Sequence, residues 1–88
     1  MIHSTHPDIV KRLKRAEGHI RSIVEMIESR RSCLEIAQQL HAVTSALENA
    51  KRAFVHDHID NCLENMAGAG TGVGKTALSE FKEITKYL

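Results

Sequence analysis

The chain is predicted to be all-α, with three helices that pair with a second copy as an antiparallel helical dimer. Three observations predict this. Apolar or small residues recur every three or four positions from Leu34 through Ala37, Leu40, Val43, Leu47, Ala50, Phe54, Ile59 and Leu63, with no glycine or proline in between. A second run, Ile9, Leu13, Ala16, Ile20, Ile23 and Ile27, keeps the same period. Finally, 88 residues with 42% hydrophobic but only 3% aromatic content make one ordered domain with too little surface of its own to cover a long helix.

Residues 1–6 read as a short tail. Its His3 and His6 are either incidental or metal ligands. The first helix is expected over about 7–30. Pro7 suits the first helical position and Asp8 suits the positive end of the helix dipole. The Ile9–Ile27 residues form a heptad-like seam for packing on another helix. Lys11, Arg12, Lys14 and Arg15 fall mostly off that seam. On an isolated helix they would be a solvated face; repeated in a symmetric oligomer they raise a potential that holds phosphates.

The second helix is expected over about 32–66. Ser32-Cys33-Leu34-Glu35 matches a capping box, with serine as N-cap and glutamate three residues on. Cys33 then lies in the first turn, either as a small apolar filler or as a thiolate ligand. Near the other end, His58 and Cys62 are four apart, so they share a face and can hold one metal together. The 25 residues between Cys33 and His58 span roughly 37 Å of helix. A straight helix therefore keeps them apart, whereas an antiparallel copy crossing near Ala46 brings Cys33 of one chain to His58 and Cys62 of the other. Ala42, Ala46, Ala50 and Ala53 are expected to allow that close approach. Two sulfurs and one nitrogen suit copper(I); one further nitrogen from the tail suits nickel(II) or cobalt(II).

Residues 67–75 form a glycine-rich loop. Ala69 to Thr76 imitates the phosphate-binding pattern Gly-x-x-x-x-Gly-Lys-Thr. That pattern works after a strand in an α/β unit, and here it follows a polar helix end, Glu64-Asn65-Met66, so nucleotide binding is rejected. The third helix, about 77–88, carries Leu78, Phe81, Ile84 and Leu88 and is too short to persist undocked. Its Glu80 is a surface acid or a group that reaches the metal site.

Charge is unevenly spread. Residues 1–31 carry seven Lys/Arg against four acids, residues 32–67 carry two (Lys51, Arg52) against five, and the whole chain is +1. The first third is thus the anion-facing part. No start resembling a signal peptide and no membrane-length apolar run is present, so a cytoplasmic location is expected, where two cysteines serve as thiols or ligands rather than a disulfide. No acid–base or nucleophile constellation points to an enzyme.

These residues resemble the CsoR/RcnR family of small all-helical, metal-responsive repressors. The likeness is carried by Arg12-Leu13-Lys14-Arg15-Ala16-Glu17-Gly18-His19, Cys33, Gln38-Gln39-Leu40-His41-Ala42-Val43 and His58-Ile59-Asp60-Asn61-Cys62. It implies a disc-like dimer of dimers, a homotetramer without a helix-turn-helix, in which Cys33, His58 and Cys62 bind metal across the dimer interface. It also implies that the metal-free form binds operator DNA and that metal releases it. Arg12 and Arg52 fall at the family's DNA-contact positions; Lys11, Lys14, Arg15 and Lys51 join them from charge alone. Glu80 matches a helix 3 glutamate of the copper sensors, but Ser32 stands where they carry tyrosine. The tail is similar to that of the nickel and cobalt branch, in which an N-terminal histidine, here His3 or His6, completes four ligands. Copper(I) and nickel(II) are thus equally expected inducers. A formaldehyde-sensing relative would not need Cys62. A repressor answering to a Cys33–Cys62 disulfide or persulfide, and a metal buffer without a DNA role, are the rival functions.

Overall fold

The computed structural model describes the backbone of residues 6–69 and 75–88, with side chains at all of these except 62, 64–69 and 75–77. Helix α1 runs over His6–Glu28, α2 over Cys33–Ala69 and α3 over Lys75–Ile84, followed by one 3-10 turn, Thr85–Tyr87. His3, most of the expected tail and the core of the glycine-rich stretch lie outside the described residues.

Helix α1 starts one residue before Pro7, which occupies the first turn, where a missing N–H costs nothing. Its end is sharper than expected. Arg30 adopts φ 60°, a left-handed conformation normally taken by glycine. The Arg30 N–H donates to the Ile27 carbonyl (3.1 Å) and the Arg31 N–H to the Met26 carbonyl (2.9 Å). This bond pair is a Schellman motif, and it stops the helix two residues short of Arg30.

The reversal delivers the chain to Ser32, whose hydroxyl accepts the Glu35 N–H at 3.2 Å and caps α2. The other half of the expected capping box is replaced. The Glu35 carboxylate accepts from Arg31, at 3.1 Å from Nε and 2.8 Å from Nη2. The 37 residues of α2 extend roughly 55 Å at 1.5 Å each, which matches the long dimension of a 59 × 23 × 14 Å molecule.

Helices α1 and α2 form an antiparallel hairpin. His19 of α1 meets Gln39 of α2, and His6, thirteen residues back, meets Phe54, fifteen residues on. The seam of α1 divides in two. Ile9, Ala16 and Ile23, seven apart, are buried against α2, where Val43 and Ala50 are buried and Ile36 packs on the same cluster. Leu13, Ile20 and Ile27 stay 46%, 44% and 54% exposed. The reason is rotational: at about 100° per residue, a step of four turns the side chain ~40° past the contact line. The same offset leaves Leu40 and Leu47 of α2 exposed.

Because the helices are antiparallel, these two apolar flanks open on one side of the hairpin. The opposite side carries Lys11, Arg12, Arg15 and His19 of α1 facing Ala46 and Asn49 of α2. The third helix docks on α2, half-burying Phe81 and Ile84 and leaving Leu78 and Leu88 exposed. It begins two residues earlier than expected and gives way to the 3-10 turn instead of continuing to the end.

Candidate metal centre and nucleic-acid interface

Cys33 is the first residue of α2 and a free, exposed thiol. His58 is half-buried on the same unbroken helix. Their 25-residue spacing makes roughly seven turns, so both point to the same flank of α2, the one that also exposes Leu40 and Leu47. One chain thus aligns the two ligands without bringing them together. Among the described residues no group of three or more His, Cys, Asp or Glu side chains gathers to hold a metal. Position 62 lies one turn beyond His58 on α2; its side chain, like all of His3, is outside the described set.

Of the four alanines expected near a crossing, Ala50 is buried against α1 and Ala53 is half-buried. Ala46 lines the basic cleft, and Ala42 falls one turn away on that side of α2. The residue midway between the ligand positions on the ligand flank is Leu47. Periodicity along one helix does not say which side of the hairpin an alanine faces.

His58 borders a cleft of about 380 Å³ against α3, lined also by Ser79, Glu80, Glu83, Ile84 and Tyr87. Glu80 therefore lies beside a metal-ligand candidate within the same chain. Glu83 and Tyr87 join it there, and their spacing of three and seven from Glu80 puts all three on one helical face. Lys86 binds the Glu83 carboxylate at 3.0 Å.

His6 opens α1. Its ring stacks on Phe54, with centroids 5.2 Å apart and planes at 13°. Its Nε2 lies 3.9 Å from Asp57 Oδ2, beyond hydrogen-bond reach but close enough for electrostatic attraction to an imidazolium. A candidate ligand of the tail is thus seated one residue along α2 from His58.

The basic residues divide between two surfaces. Lys11, Arg12 and Arg15 line a cleft of about 400 Å³ between α1 and α2, together with Asp8, Ala16, His19, Ala46 and Asn49. The Asp8 carboxylate accepts from Arg12 Nε at 3.1 Å, so any phosphate must compete for that guanidinium. His19 Nε2 donates to Gln39 Oε1 at 2.6 Å across the hairpin. Lys14, Lys51 and Arg52 are exposed but do not line this cleft, and Lys51 pairs with Glu48 at 3.2 Å. Neither His19 nor Asn49 carries a formal charge, so a charge pattern does not single them out.

The donors available fit the metals expected. Two thiols and an imidazole form a soft set suited to copper(I), and an added imidazole suits nickel(II). Among the described residues, no helix is long and apolar enough to cross a membrane.

Comparison with known proteins gives a consistent result. The family described as metal-sensitive transcriptional repressor matches residues 5–87. The copper-sensing transcriptional repressor CsoR of Bacillus subtilis (strain 168) is 38% identical over 82 residues, covering 89% of this chain and 79% of that protein. Its counterpart in Mycobacterium ulcerans (strain Agy99) is 37% identical over 78 residues, and the chain spans 65% of that protein's length. The nickel-responsive transcriptional regulator InrS superposes with a TM-score of 0.81 at 32% identity, covering 100% of this chain and 98% of its own.

Proposed function

The chain belongs to the metal-sensitive transcriptional repressor family, and from that premise we propose that it is itself a cytoplasmic DNA-binding repressor released by copper(I) or nickel(II). The observation that carries this reading is the shared flank of Cys33 and His58. On that flank Leu40 and Leu47 offer an apolar surface between the two ligand positions. A second chain laid antiparallel there buries those leucines and sets Cys33 of one subunit against His58 and Cys62 of the partner subunit. Leu13, Ile20 and Ile27 open on the same side and extend the contact. Covering the remaining half of each such side chain is worth on the order of 1 kcal/mol. Two such dimers form the homotetramer.

The opposite side of the hairpin stays free for DNA. Lys11, Arg12 and Arg15 face the phosphate backbone, with Lys14, Lys51 and Arg52 on the flanks of the same subunit. When bound, the metal supplies a bond between subunits that one arrangement of the dimer satisfies better than another. Operator affinity then falls by as much as the metal prefers that arrangement, and no more. Glu80, which lines the same cleft as His58, stays outside the donor set in this reading and serves to orient the imidazole. A tail histidine completes the four donors for nickel(II).

The test is an anaerobic titration of the purified protein on DNA flanking its own gene. Metal-free protein should bind with affinity that falls steeply with salt, and about one equivalent of copper(I) or nickel(II) per chain should release it. DNA affinity unchanged by either metal would overturn the proposal. Release by an oxidant or sulfide, accompanied by an intersubunit crosslink, would replace it with the thiol-sensing alternative.

A further inference from the structure

The start of α1 is fastened to the ligand-bearing turn of α2 by side chains of which only His6 figures above, as a candidate tail ligand. The His6 ring lies flat against Phe54 and its Nε2 faces Asp57 Oδ2. The other carboxylate oxygen, Oδ1, is approached by Asn61 Nδ2 at 3.4 Å, and the same amide donates to the Asp57 carbonyl at 2.8 Å. Phe54, Asp57 and Asn61 step by three and four, so they form one face of α2, adjacent to the flank of His58 and position 62. On the α1 side, Asp8 sits two residues after His6 and holds Arg12. The turn before His58 is thus tied through Asp57 to His6, and two residues further along the same helix Asp8 holds Arg12 of the basic cleft. A second side-chain tie across the hairpin, His19 to Gln39, lies thirteen residues away, roughly 20 Å along α1.

Resting on the metal-repressor reading above, we propose that His6 is a strut rather than a ligand: a positioning residue that transmits displacement of the 57–61 turn to the basic stripe of α1. A helix pinned at two points pivots when one pin moves. A shift of Asp57 as His58 is drawn toward the partner subunit moves the His6 end, while the His19 end stays fixed. The cleft between Arg12 and Asn49 then changes width. This assignment leaves His3 as the tail histidine available to metal.

The experiment compares the parent with His6→Ala, His6→Phe and Asp57→Asn. Four quantities are measured: metal affinity with its absorption spectrum, DNA affinity without metal, DNA affinity with metal, and amide hydrogen exchange of residues 9–16 in metal-free protein. In His6→Ala and Asp57→Asn, metal affinity should stay within roughly threefold and the spectrum should be unchanged. The metal-induced loss of DNA affinity should shrink about tenfold, and exchange over 9–16 should quicken. His6→Phe, which keeps the ring stack, should recover most of the coupling and the protection. A fall in metal affinity of tenfold or more, or an altered spectrum, would make His6 a ligand and overturn the proposal. Unchanged coupling in His6→Ala would overturn it as well. A parent protein whose DNA affinity ignores metal would instead remove the repressor reading; the exchange comparison in metal-free protein then still decides whether His6 fastens α1.

Discussion

Cys33 and His58 occupy the same flank of one unbroken helix, about seven turns apart. Two such positions on a rigid rod never meet within a chain, but they meet twice in an antiparallel pair. The proposed function has a direct consequence for mixed subunits. Cys33→Ser and His58→Ala should each lose tight metal binding alone. Mixed as heterodimers, they should regain one intact site per pair of chains, contributed by Cys33 of the His58→Ala subunit and His58 of the Cys33→Ser subunit. Metal stoichiometry by equilibrium dialysis checks this, and no recovery in verified heterodimers counts against a shared site.

Leu47 stands midway between the ligand positions and is 39% exposed in the single chain. Leu47→Lys should weaken self-association by several kcal/mol per dimer. A two-fold interface meets each substitution twice, and burying an unpaired ammonium is costly. Sedimentation equilibrium should show a lighter species with helix content preserved.

The Asp8 carboxylate at 3.1 Å from Arg12 neutralises a cation of the basic cleft. Asp8→Asn should tighten DNA binding several-fold and steepen its salt dependence, since the guanidinium is released to a phosphate and a repulsive charge is removed. Arg12→Ala should do the reverse, reducing the salt slope by about one per contacting subunit. Anisotropy titrations at three or more salt concentrations measure both.

The link between α1 and α2 offers two opposite stability effects. Arg30 holds φ 60°, so Arg30→Gly should stabilise the chain by about 0.5–1 kcal/mol, the left-handed strain less the extra entropy glycine loses on folding. Ser32→Ala removes the hydroxyl that accepts the Glu35 N–H and should cost about 1 kcal/mol. It should also fray the turn that carries Cys33. Urea unfolding with unchanged slope separates these stability effects from any change in metal affinity.

The helices were legible in the residues, because helical periodicity, the Ser32 cap and the position of Pro7 are local properties of the chain. So was the need of Cys33 for a second chain to reach His58, since the rise per residue of a helix is fixed. How the α1 seam divides became visible in the folded hairpin alone. Ile9, Ala16 and Ile23 turn inward while Leu13, Ile20 and Ile27 remain exposed, because the rotation of one helix against its neighbour is a property of the pair. For the same reason Ala46 faces the cations while Ala50 is buried in the seam. The seating of His6 on Phe54 and Asp57 joins residues some fifty positions apart, and no local pattern announces a contact made only when the hairpin closes.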